Sequence, residues 1–244
     1  MIGRVLWVGL LAGLVAGLAV AALQHVTTTP LILAAEAYEA QGHHHGALPD
    51  GGVLRLAHSH GGTATDASAP APAETSWKPA DGIERTAVTS LATVLTAMGY
   101  ALILVAGMLV AGDAITVRSA LAWGAAGFAA TGLATGLGLA PELPGSAAGD
   151  LVARQTWWIV TAVATGAGLY GLFRLATVGA KAGGAILIAV PHIVGAPKPA
   201  AFESTVPAEL AAHFASTSLA VHAVLWLLVA ASVALLWERT GRTA

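Results

Sequence analysis

The sequence predicts an all-α, polytopic integral membrane protein with six transmembrane helices, and three observations carry that prediction. Hydrophobic residues make up 56% of the 244-residue chain and charged residues only 10%, against about 25% charged in a typical soluble domain. The few charges are clustered, and the gaps between them are long enough to cross a bilayer, which takes about 20 apolar residues. Those gaps are dense in Ala, Leu and Gly and lack the period-two alternation of a membrane β-barrel.

The charge-free runs are 5–35, 86–112, 119–141, 155–173, 182–197 and 210–237. The first could pass for a cleaved signal, but its apolar stretch exceeds a signal core. Gly9, Gly13 and Gly17 within it form two overlapping GxxxG steps, a spacing that lets another helix approach closely. The second, third, fourth and sixth runs read as ordinary spans. The fifth, 182–197, is short and holds Pro191 and Pro197, so it is either a short crossing helix or a re-entrant segment.

Positively charged residues concentrate in cytoplasmic loops. With six spans and both termini cytoplasmic, Arg4, Arg118, Arg174, Lys181, Arg239 and Arg242 fall inside, while Arg55, Lys78, Arg85, Arg154 and Lys198 fall outside. Five spans would move Arg239 and Arg242 outside and reverse the bias, so six are favoured. The chain then forms a single membrane domain, 1–244, with a long extracytoplasmic loop, 26–86, after the first span.

That loop begins with Thr29 and Pro30, which read as the N-cap and first position of a helix carrying Glu36 and Glu39 on one face. Residues 65–80, rich in Ala, Pro and Ser, read as a linker. Between them lie His43, His44, His45, His58 and His60, flanked by glycine. This is a metal-collecting tract or, at its plainest, a solvated low-complexity loop.

The same topology gathers His25, Glu36, Glu39, His192 and His213 at the outer membrane level. Imidazole and carboxylate together suit a divalent transition metal. Each of these histidines alone also fits an interfacial, hydrogen-bonded role. His222 lies nine residues beyond His213, roughly 13 Å further along the axis and 180° away, where Ser218 shares its face. It forms an inner polar station, since ionisable groups at membrane depth are functional candidates by default.

Other chemistries are excluded. Cysteine is absent, so there is no disulfide framework and no thiolate metal site. A formal net charge of −2 with no basic run gives nucleic acid no electrostatic hold. No phosphate-binding GxxxxGK[ST] loop, GxSxG elbow or HExxH pair occurs, and no span carries a central Asp, Glu, Lys or Arg. The chain therefore does not read as an enzyme.

Pro30-Leu31-Ile32-Leu33 with Glu36, Tyr38 and Glu39, then Pro141-Glu142-Leu143-Pro144-Gly145, Arg154-Gln155-Thr156-Trp157-Trp158, Pro191-His192-Ile193-Val194-Gly195-Ala196-Pro197 and Val206-Pro207 occur in that order along the chain. Together they resemble the CbtA family of predicted cobalt transporter subunits, over nearly the whole length. The resemblance implies a bacterial inner-membrane protein taking up Co2+ for cobalamin synthesis. It also implies a small one-span, histidine-bearing partner subunit of the CbtB kind. No permanent cofactor is implied; the metal is cargo, with Ni2+ or Zn2+ as alternatives, and a homo-oligomer is open. Two other readings stand beside uptake: an accessory or scaffold subunit that delivers metal to another transporter, and a haem-carrying redox protein with histidine axial ligands.

Overall fold

A computed structural model describes residues 2–44 and 79–242. Every element among the described residues is helical. The order is α1 (Ile2–Val26), α2 (Thr28–His44), α3 (Ile83–Val110), α4 (Val117–Phe128), a π-helical turn (Ala129–Ala134), α5 (Thr135–Gly138), α6 (Leu151–Arg174), α7 (Val178–Val194) and α8 (Ala208–Arg242). α4, the π turn and α5 run as one rod, Val117–Gly138. That rod, α1, α3, α6 and α8 are five helices long and apolar enough to cross a membrane. The chain is thus a multi-pass membrane protein whose described elements are all helical. α7, at 17 residues, is the short fifth element, roughly 26 Å long at ~1.5 Å per residue.

Side chains at the loop ends start and stop the helices. Thr116 and Ser119 form a reciprocal capping box at the start of α4, Asp150 accepts from Ala153 N at 2.9 Å to open α6, and Thr177 accepts from Ala180 N at 3.2 Å to open α7. Each satisfies a backbone donor that the helix leaves orphaned. Gly112, with φ +73°, ends α3. The turn it permits lets Asp113 N reach Met108 O at 2.9 Å, placing Asp113 at the mouth of the α3–α4 connection.

α2 is the helix expected within the loop 26–86. It begins at Thr28, not after a Thr29 cap, and α3 begins at Ile83. The hydroxyls of Thr27 and Thr28 donate back to the last-turn carbonyls of α1, Leu23 O at 2.7 Å and Gln24 O at 3.4 Å. A single turn residue, Thr27, separates α1 from α2. Pro30 falls at the third position of α2, where its missing N–H leaves no helical bond unmade.

Packing follows the small residues. α1 lies along α3 with Gly9, Gly13 and Gly17 buried. A Cβ on Gly17 would sit 2.6 Å from Val94 Cα, and one on Gly13 would sit 2.5 Å from Met98 N. Backbone meets backbone there, as in small-residue helix pairs in membranes. α8 and α4 complete this core, in which Val8, Val105, Met108, Val229 and Val233 are fully buried. α6 and α7 form a separate antiparallel hairpin. At Gly168 and Gly184 the two backbones touch, and towards the other end Trp157 Nε1 donates to Pro191 O at 3.1 Å. The π turn is the main seat of this hairpin on the bundle.

The two ends of the bundle are fastened differently. At one end Arg4 donates to Thr240 Oγ1 at 2.9 Å and to Trp237 O at 2.5 Å, with its guanidinium 3.9 Å above the Trp237 ring. The start of α1 and the end of α8 therefore share a face, along with Asp113 and Arg174, which pair at 2.8 Å. At the opposite end Ala35 of α2, Leu143, Val206 and Phe214 of α8 form a second apolar cluster.

Candidate metal path

His222 stands on α8 against the π turn. Its Nε2 lies 3.0 Å from Thr131 Oγ1, and the Trp226 indole N–H reaches Thr131 Oγ1 at 2.9 Å and His222 Nε2 at 3.2 Å. Tyr100 meets the imidazole edge-on and stacks on Trp226. The ring fits because Gly132 faces it; a Cβ there would come 2.7 Å from His222 Cδ2. π turns concentrate at functional positions, and this one turns Thr131 towards the histidine.

The proton count restricts the imidazole. Thr131 has one hydroxyl proton, and Gly127 O lies 2.8 Å away to take it. His222 then donates from Nε2, and Nδ1 carries the free lone pair. When Thr131 donates to His222 instead, Nδ1 holds the proton. Nε2 is engaged in both neutral forms, and Nδ1 is open to a ligand only in the first, in which the Nε2 proton goes to Thr131 and the Thr131 proton to Gly127 O.

His222 lines a cavity of about 820 Å3 between α1, α2, the π turn, α6 and α8. Its walls carry uncharged oxygen and amide groups from Gln24, Thr28, Thr135, Gln155 and Ser218. Among the described residues the cavity is lined by one carboxylate, Glu142, and one cation, Arg154, and these two pair at 2.5 Å. Arg154 Nε is buried without a partner. A second cavity of about 790 Å3 holds His192, which meets the Trp157 ring edge-on at 6.0 Å between centroids. Glu142, Leu139 and Ala140 line both cavities.

The expected ligands are therefore distributed, not clustered. Among the described residues no group of three or more His, Asp or Glu is placed to hold a metal ion. Glu36 is bound by Arg85 through both guanidinium nitrogens, Nη1 to Oε2 at 2.8 Å and Nη2 to Oε1. Glu39 is half-buried, and its Cβ lies 3.7 Å from where a side chain on Gly145 would begin. His25 and His213 are exposed. His192 and His222 occupy different cavities. His43 and His44 end α2, their side chains lying outside the described residues together with His45, His58 and His60.

Glu142 is the functional candidate that sequence reasoning missed. It stands in Pro141-Glu142-Leu143-Pro144-Gly145, twelve residues before Arg154. Its importance comes from lying between two histidine-bearing cavities, and no local spacing encodes that.

The family described as probable cobalt transporter subunit (CbtA) matches residues 2–238. No curated protein and no solved structure matches the chain.

Proposed function

Because the chain belongs to the CbtA family of probable cobalt transporter subunits, we propose that it conducts Co2+ inward across a bacterial inner membrane, using Glu142 and His222 in turn. The observation that carries this reading is the composition of the 820 Å3 cavity, whose described lining holds one carboxylate, Glu142, paired with Arg154, one imidazole, His222, and neutral oxygen and amide groups. A divalent cation arriving at the rim displaces Arg154 from Glu142, trading hydration oxygens for carboxylate oxygens. It then moves past Gln155, Ser218 and Thr135 to the Nδ1 lone pair of His222. Few strong ligands at each station suit passage, because conduction needs binding favourable enough to enter and weak enough to leave. His192, in the adjoining cavity, supplies a second approach to the same carboxylate.

The subunit description supports a partner, and a small one-span, histidine-bearing protein fits that place. Six crossings fit the architecture, with α7 spanning beside α6 and the Glu142 end facing outward. The histidines at 43–60 then act outside, raising local metal concentration.

The test is accumulation of radiolabelled cobalt in cells expressing the chain with its partner. Glu142→Gln and His222→Ala each lower the uptake rate at limiting metal by about tenfold or more, the scale of a lost metal-site interaction, at unchanged membrane abundance. Glu36→Gln, whose residue is held by Arg85, leaves uptake per folded molecule unchanged. Full uptake by both Glu142→Gln and His222→Ala overturns the path. The rival reading, delivery to another transporter, is separated by purified protein in vesicles: cobalt flux through this chain and its partner alone excludes it.

A further inference from the structure

A third cavity, of about 740 Å3, opens between α4 and α6 at the end of the bundle that carries Arg4 and Thr240. Ala122, Ala125, Ala126 and Ala129 line it on one side, beside Trp123, and Gly166 and Leu169 on the other. A Cβ on Gly166 would meet nothing within 4 Å. Tyr170 and Phe173 flank the groove and are exposed to the surroundings, Phe173 by 80%.

The rim of this groove is charged. Asp113 is fully engaged, accepting from Trp123 Nε1 at 2.7 Å and pairing with Arg174 at 2.8 Å. Arg174 also reaches Ala111 O at 3.4 Å. Arg118 is exposed and, among the described residues, makes no hydrogen bond or ion pair. Two guanidinium groups against one carboxylate leave the mouth net positive, with Arg118 the free charge.

Length decides what fits. From Arg118 to Ala129 is eleven residues, roughly 16 Å at 1.5 Å per residue, and from Arg174 to Gly166 eight residues, roughly 12 Å. The hydrocarbon core is ~30 Å thick, so the groove is about one leaflet deep. Beyond Ala129 the π turn packs on α6 and closes it. A partner's transmembrane helix would need the full thickness and meets that obstruction; an acyl chain from one leaflet does not. Basic pockets between transmembrane helices at this level recognise anionic headgroups.

We propose that the α4–α6 groove binds one anionic phospholipid of the leaflet on the Arg118 face, its phosphate on the Arg118 guanidinium and an acyl chain along Ala122, Ala126 and Gly166. The lipid fills the space where the α6–α7 hairpin stands away from α4. It thereby joins the hairpin to the four-helix core at the end where the Arg174–Asp113 pair also ties it.

The chain has no cysteine, so a single introduced thiol reports one position. Gly166→Cys carrying a bimane fluorophore is reconstituted in phosphatidylcholine vesicles with a small share of doxyl-labelled phosphatidylglycerol or doxyl-labelled phosphatidylcholine. Phosphatidylglycerol is expected to quench with about fivefold preference, the effect of one basic residue on an anionic lipid. Arg118→Gln abolishes the preference. A label at Val163, 67% exposed on the outer surface of α6, shows none. The unlabelled protein, moved into detergent, retains phosphatidylglycerol in native mass spectra, and the Arg118→Gln variant does not. Equal quenching by the two lipids at residue 166 overturns the proposal. So does quenching by neither lipid while the Val163 label is quenched, because a protein segment then fills the groove.

Discussion

Glu36 and Glu142 are both carboxylates bound to arginines, but their partners differ. Arg85 commits both terminal nitrogens to Glu36 and also meets Asp81 at 3.5 Å, while Arg154 leaves its Nε buried and unpaired beside a cavity. The Glu36 pair is thus a fastening between α2 and α3. With both side chains about a third exposed, Glu36→Gln costs at most about 1 kcal/mol, measurable as a lower melting temperature in detergent. Asp113 gives a prediction with a pH sign. The Trp123 N–H and then the Arg174 guanidinium hold its carboxyl below the usual carboxylate range. A depressed folded-state value means stability present above the unfolded value, near 3.9, and lost as pH falls through the lower folded one. Asp113→Asn should therefore melt below wild type at pH 7, with the gap closing as the pH is taken into and below the range where Asp113 protonates. A gap independent of pH would deny the carboxylate this role. His222 was legible because helical spacing alone puts it on the Ser218 face, and both line one cavity. Glu142 was not, because its meaning depends on contacts across a loop and between two cavities.

Helix packing was legible where the pattern is local. Gly9, Gly13 and Gly17 recur every four residues, and the structure lays α3 against that stripe. The start of α2 was read two residues late, because threonine hydroxyls that cap in one context bond back to the preceding turn in another. The π turn had no signature at all: Ala129–Ala134 contains no proline, and its register depends on His222 and Trp226 from α8. The glycine stripe yields a paired test. Gly13→Ala forces a Cβ against the Met98 backbone, which cannot yield as a side-chain tip can, and should cost about 1–3 kcal/mol. Gly99→Ala on α3 meets nothing within 4 Å and should be neutral or gain up to about 1 kcal/mol from helix propensity. Thermal melting of both variants in one detergent decides it: equal melting temperatures would mean that α1 and α3 do not approach at Gly13.

At the scale of the whole molecule, parity links the fastened ends to the number of crossings. Arg4, in the first turn of α1, holds Trp237 and Thr240 near the end of α8, so the start of α1 and the end of α8 lie at one end of the bundle. Five helices qualify as spans by length and composition, and an odd number would put the ends on opposite faces. In the six-crossing topology proposed above, α7 is the helix that restores parity. Its 17 residues cover roughly 26 Å, near the ~30 Å hydrocarbon thickness, and it runs antiparallel along α6 from Ala180 beside Gly171 to Pro191 beside Trp157. The charges agree: with α7 crossing, Arg4, Arg118, Arg174, Lys181, Arg239 and Arg242 share the face that the positive-inside rule makes cytoplasmic. On that reading Glu142 and His192 fall on the other side, the side from which the proposed uptake starts. A reporter fused after Ala244 should accordingly be active in its cytoplasmic form, one placed at residue 114 likewise, and one inserted near Asp66 only in its periplasmic form. A periplasmic signal after Ala244 with a cytoplasmic one at residue 114 would mean that α7 turns back within the membrane. His192 would then lose its place on the same side as Glu142, and the Arg4 clasp would be absent in the membrane.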